Sequence, residues 1–168
     1  MRKLLVPIIL LAVLSAPPAF GGRSGPSGQG TLSVRDGKGV VQLSARGSMI
    51  GRFERGKVTI TDPNPYDARR AVVIGAERTV FRGAKTTVYS GKNVRIRIVG
   101  WLAHVRIEGR GIHLSAVGNG RGMVEGSGDP DLGVFYDGVW SLNDEAYKSL
   151  PDEPTSFQLA APPKPVRE

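Results

Sequence analysis

An all-β fold, built as a single antiparallel sandwich or barrel of short strands, is what this sequence of 168 residues predicts. Three observations carry that expectation. Stretches such as "VVQLSA", "KVTIT", "VRIRIV" and "GIHLSAV" are rich in Val, Ile and Thr and alternate apolar with polar residues, the period of a strand with one buried face. Gly83, Gly91, Gly100, Gly109, Gly118 and Gly126 fall eight or nine residues apart, the length of one strand and one tight turn. No stretch between Gly30 and Trp140 sustains a helical period. A β-solenoid is the alternative architecture, because Gly-bounded strands also suit stacked coils.

The elements follow in order. Residues 1–21 form a signal-peptide pattern: Arg2 and Lys3 as the positive region, an apolar run from Leu4 to Leu14, then small residues. Cleavage after Gly21 places Ala19 and Gly21 at the two small-residue positions, with Ser15 or Ala16 as alternatives. A retained anchor is disfavoured, since the run is shorter than the ~20 apolar residues of a spanning helix and Pro7 interrupts it. Residues 22–30 are a Gly/Ser-rich linker. Residues 31–142 are the β domain, with "TDPNPYDARRA" as its longest loop. Residues 143–159 hold a short helical turn, capped by Asn143 or Asp144 and stopped by Pro151, and a segment whose Phe157 and Leu159 dock on the domain. Residues 160–168 are a Pro-rich tail expected to be disordered.

One phrase occurs twice. "DGKGVVQLSARG" from Asp36 and "EGRGIHLSAVG" from Glu108 align with eight identities in eighteen pairs once Val40 is treated as an insertion. The internal repeat predicts that Leu43 and Leu114 hold equivalent buried strand positions, with Ser44 and Ser115 facing outward. It also predicts hairpin turns at Gly37–Lys38 and Gly109–Arg110, with Val40 taken up as a bulge.

Composition limits the chemistry. The absence of cysteine removes disulfides, thiol catalysis and Cys-ligated zinc. No phosphate-binding loop, nucleophile elbow or HExxH spacing occurs. His104 and His113 alternate with apolar residues and are read as surface strand residues. Asp129 and Asp131 in "GSGDPDLG", with Asp137 beyond, speak ordinary turn language, so no metal or other cofactor is expected. Charge is the informative feature: Arg23 to Leu142 carries eighteen basic against ten acidic residues, while the tail from Asn143 is mildly acidic. Such a surface favours polyanionic neighbours. By strand parity Arg95 and Arg97 share one face. With Arg106, Arg110 and a stacking surface from Trp101 they form the candidate ligand-binding set. Tyr66 and Tyr89 are further candidate stacking surfaces, and Arg52, Arg55 and Lys57 a second basic cluster. The bland counterpart is a solvated sheet face whose arginine stems cover apolar surface.

The residues "GKGVVQLSARG", "IEGRGIHLSAVGNGRG" and "FYDGVWSLND" carry a resemblance: the run from Thr31 to about Leu159 resembles uncharacterised secreted β-rich proteins of high-GC bacteria. The resemblance implies an extracytoplasmic location and no particular activity. Together these features predict an exported, non-enzymatic, basic β-domain of the bacterial cell envelope, with an anionic envelope polymer as its partner. Specific nucleic acid is not expected, and membrane contact would come only through an uncleaved signal. The alternatives are an extracellular hydrolase acting on a polymer through loop carboxylates, and an oligonucleotide-binding barrel.

Overall fold

The structure, a computed structural model, describes residues 28–128 and 137–160. The expected signal segment, most of the linker, Asp129, Asp131 and nearly all of the tail lie outside the described residues. Within them the chain is all-β, as its alternation requires. Its strands are β1 (Gly30–Thr61), β2 (Val72–Ile74), β3 (Arg78–Arg82), β4 (Thr86–Gly126), β5 (Val139–Leu142), β6 (Lys148–Ser149) and β7 (Thr155–Leu159). All pairings are antiparallel, in the order β2-β4-β1-β5-β6, with β3 and β7 also on β4.

β1 and β4 are far longer than the expected short strands, because together they form one long hairpin that rolls up and pairs with itself. Leu43 faces Val105 on one side and Gly122 on the other; Val105 in turn faces both Leu43 and Ile60. The ribbon therefore meets itself again seventeen residues on, from 43 to 60. With a bend at every eighth or ninth residue, each circuit flattens into two layers. The first layer runs β6, β5, 30–38, 110–118, 48–55, 92–98, β2. The second runs β7, 118–126, 39–47, 101–109, 57–61, 86–90, β3. A long hairpin rolled into two facing sheets is the topology of a jelly roll. The sheet is not closed, so a sandwich forms instead of a barrel, and the antiparallel ladder differs from the solenoid's stacked coils.

Alternate residues of every crossing meet between the layers. Phe53, Val94, Ile96, Ile112 and Leu114 come from the first layer; Val41, Leu43, Val58, Ile107 and Val124 come from the second, all buried. Cross-layer contact is direct: a Cβ at Gly51 would lie 3.9 Å from Ile107 Cδ1, and the rings of Trp140 and Phe157 are 5.7 Å apart. No buried side-chain polar atom among the described residues lacks a hydrogen-bond partner.

The glycines are the bends. Gly126, Gly39, Gly109, Gly56 and Gly91 lie side by side across five adjacent crossings, and Gly30, Gly118 and Gly47 line the opposite corner. The expected hairpins at Gly37 and Gly109 are therefore corrected: the chain passes through both without leaving the ladder, Gly37 opposite Ile112 and Gly109 opposite Gly39 and Gly56. What excludes a side chain there is the approach of the neighbouring backbone. A Cβ at Gly109 would lie 2.3 Å from the Arg55 carbonyl oxygen, and one at Gly47 would lie 2.1 Å from that of Val117.

The repeat is the imprint of a local two-fold axis through the Gly47–Gly118 pair. About it the two copies are antiparallel partners: Leu43 lies opposite Gly122, and Leu114 lies opposite Gly51. Leu114 occupies space left by Gly51, where a Cβ would be 3.0 Å from Leu114 Cδ1, whereas the space over Gly122 is taken by the Phe157 ring. Leu43 and Leu114 are both buried, and between inward neighbours Ser44 is half-buried and Ser115 exposed, both on the outer side. Val40 pairs regularly with Glu108 and Glu125, so the expected bulge is not there. The register slips between Val34 and Gly37 instead, where Asp36 takes a left-handed φ of 51°.

After β5 the expected helical turn is also corrected. Asn143 and Asp144 form a turn at φ 52° and 62°, and extended chain leads to β6. Their side chains hold the start of β1: Thr31 N–H donates to Asn143 Oδ1 and Thr31 Oγ1 donates to Asp144 Oδ1. A helix there would break this connection. "SFQL" does dock, with Phe157 and Leu159 buried beside β4.

Candidate functional site

The two outer faces of the sandwich differ in how they treat charge. On the outside of the second layer, a carboxylate sits among the central charges and pairs with two of them. Glu108 receives Lys57 Nζ at 2.7 Å and Arg106 Nε at 2.5 Å, and Arg106 Nη1 also donates to Gln42 Oε1 at 3.2 Å. Partial burial alone would raise the Glu108 carboxyl, but the hydrogen bonds and charges of Lys57 and Arg106 outweigh it and hold the group below its ordinary value. His104 Nδ1 lies 2.6 Å from Ser44 Oγ on the same face. Their neighbours in that row are Arg121 and Thr61, with no carboxylate to orient the imidazole as a base.

The outside of the first layer is different. Arg52 and Arg95 are direct cross-strand partners, and Arg97 follows Arg95 on the same side of its crossing. Like charges facing each other across a strand pair are destabilising, and a carboxylate at either position would relieve the repulsion. None is present: Arg52, Arg95 and Arg97 have no hydrogen-bond or ion-pair partner among the described residues. They line a concave cavity of about 560 Å³ on the outer surface, together with Ile50, Val72 and Ile74. Its far side carries Arg35, whose guanidinium lies 4.2 Å from the centre of the Tyr147 ring, and His113, whose Nε2 is 2.9 Å from Asp36 Oδ1.

Apolar side chains are unusually exposed in this cavity. Ile50 is 64% accessible, Ile74 62% and Val72 51%. Strand parity places them there. Met49, Gly51 and Phe53 point inward, so Ile50 and Arg52 point out; Val94, Ile96 and Ile98 are buried, so Arg95 and Arg97 alternate outward. β2 lies along the edge, bringing Val72 opposite Arg97 and Ile74 opposite Arg95. The result is a cationic row flanked by aliphatic side chains, with a capacity within the roughly 300–1,000 Å³ of small-ligand sites.

The sequence-predicted set divides between places. Arg95 and Arg97 lie in this cavity. Arg106 is on the opposite face of the sandwich in the ion-pair cluster, and Arg110 is exposed at the corner opposite Arg55. Trp101 is buried in the core, 5% accessible, and presents no surface for stacking. Tyr89 packs against the core, and Tyr66 is exposed in the long loop. Of the loop carboxylates, Asp62 and Asp67 accept backbone N–H groups of Asn64 and Arg69 and hold their turns. Asp137 is buried, accepting from Gly128 N–H and Ser127 Oγ. No cluster of metal-ligating side chains occurs among the described residues, and none of their helices is long and apolar enough to cross a membrane. Arg52, Ile50 and the β2 residues escaped the sequence analysis as partners of Arg95, since only the long-range register brings them together.

Compared with protein-family models, curated proteins and solved structures, the chain has no significant match.

Proposed function

We propose that this chain is an exported, non-enzymatic binding domain of the cell envelope that holds an anionic ligand on the outer face of its first layer. The observation that carries the reading is the unpartnered Arg52–Arg95 pair with Arg97 beside it. A folded domain gains nothing in stability from three arginines gathered without an acid, whereas a phosphate- or carboxylate-bearing ligand would take up their donors through charge-assisted hydrogen bonds. The signal pattern and the basic balance of residues 23–142 support the same reading. Specific nucleic acid is a poorer fit to an exported chain, and no row of exposed aromatic side chains lines the cavity to stack bases.

Isothermal titration with inorganic polyphosphate, a simple anionic polymer, tests the reading. Wild type should bind, and Arg95→Ser with Arg97→Ser should weaken binding several-fold. Stability should stay within about 0.5 kcal/mol, as for other exposed substitutions. Undiminished binding by the double variant would remove these arginines from the function.

A further inference from the structure

We infer that the ligand of the first-layer cavity is a single anionic amphiphile, with its acidic headgroup on Arg52, Arg95 and Arg97 and its hydrocarbon chain along Ile50, Val72 and Ile74. The inference rests on the proposed anion-binding reading and adds the chemistry of the rest of the ligand. A purely hydrophilic polyanion would be served by arginines among serines and threonines, as on the outer face of the second layer, where the rows hold Ser44, Thr61, Thr86 and Gln42. Here the arginines are interleaved with aliphatic groups. Arg97 has Ile50 on one side and Val72 on the other, and Arg95 has Ile74 beside it. Three aliphatic side chains, each more than half exposed and lining the same cavity as the arginines, make an apolar strip that water would leave if a hydrocarbon chain covered it.

Charge selects the sign of the headgroup. Among the described residues, the carboxylates near this face lie outside the cavity lining: Asp36 is taken up by His113 at the far end, and Glu54, exposed two residues past Arg52, lies over Gly111. The cavity is closed below by the sheet itself, with Ile96 and Leu114 among its floor residues, and open above. It suits one chain laid along the surface, with the headgroup anchored where Arg52 faces Arg95. A bilayer would need a protruding apolar surface instead of a concave one. A second copy of this chain would bring another unpartnered arginine row against the first, a like-charge contact.

Calorimetric titration with a series of alkyl phosphates of increasing chain length, each below its micelle-forming concentration, tests the inference, with inorganic polyphosphate as the headgroup-only probe. Affinity for the alkyl phosphates should rise by about two- to fourfold for each added methylene that finds the strip, the range expected from partial to full burial of one CH₂. An alkyl maltoside of the same length should bind far more weakly. Ile50→Ser with Ile74→Ser should abolish the chain-length dependence while leaving polyphosphate affinity unchanged. Because both side chains are exposed, the variant should melt with the wild type, and its thermal midpoint checks that it does. Arg52→Ser with Arg95→Ser should lose both ligands. Affinity flat with chain length in the wild type, alongside intact polyphosphate binding, would overturn the amphiphile and leave the anion site standing. Binding of neither probe would overturn both.

Discussion

Replacing Gly47 with Ala tests the rolled ribbon at its corner. The added methyl would lie 2.1 Å from the Val117 carbonyl oxygen and 2.7 Å from Gly118 Cα. Both are far inside the roughly 3.5 Å of ordinary van der Waals contact. Neither atom can swing away as a side chain would, so two paired crossings must separate. Gly47 is not among the residues with positive φ, so the conformation itself accepts alanine and the cost is the contact alone. Overpacking of this kind costs about 1–3 kcal/mol, and backbone-on-backbone conflict belongs at the upper end. At roughly 3–5 °C per kcal/mol for a domain of this size, the thermal midpoint should fall by about 6–15 °C. Gly118→Ala should behave alike, since its methyl would meet the Arg46 carbonyl oxygen at 2.4 Å and Gly47 Cα at 3.0 Å. Once either methyl has opened the corner, the second has less to displace, so the double variant should lose less than the sum. Gly83→Ala is the control: nothing lies within 4 Å of its Cβ and only its φ of 71° resists, at about 1–2 kcal/mol. Urea and thermal unfolding followed by circular dichroism measure all four variants. A Gly47→Ala protein within about 0.5 kcal/mol of wild type, or strict additivity with Gly118→Ala, would refute the close-approach account of the corners.

Two further outcomes follow from the packing and the charges. Leu43→Ala and Leu114→Ala, related by the local two-fold and each opposite a glycine, should cost similar amounts of roughly 2–5 kcal/mol in urea unfolding; one neutral and one severe result would break the equivalence. Glu108 is held below its unfolded value of 4.5, so its ion pairs contribute stability that is complete above that value and disappears as pH falls through the lower folded value. Thermal midpoints taken downward from pH near 5 should therefore drop more steeply in wild type than in Glu108→Gln, and parallel curves would contradict the assignment.

Much of the core was legible from period-two writing. Val94, Ile96 and Ile98 are buried as alternation requires, as are Val41, Leu43 and Ala45 in one copy of the repeat and Ile112, Leu114 and Ala116 in the other. Trp101 was misassigned as a stacking surface although the signal was there: it shares parity with the buried Val105 and Ile107, and extending that alternation back through Ala103 points it inward. The glycines were harder, because sequence marks a place where no side chain fits without saying whether φ or a neighbouring strand forbids it. Arg106 illustrates the remaining gap. Its segment is apolar-alternating like that of Arg95, yet the bend at Gly100, with φ 75°, carries the chain into the other layer and turns Arg106 to the opposite face. The meeting of Arg52 with Arg95 depends on a pairing 43 residues apart in the chain, which local pattern does not encode.

The most direct test of the binding account is the salt dependence of polyphosphate affinity, measured for wild type and for Arg52→Ser with Arg95→Ser from low to physiological ionic strength. The account predicts that log K falls linearly with log salt for the wild type, and that the slope becomes shallower by roughly one for each arginine removed. An affinity indifferent to salt, or an unchanged slope in the double variant, would contradict the assignment of these arginines to an anionic ligand.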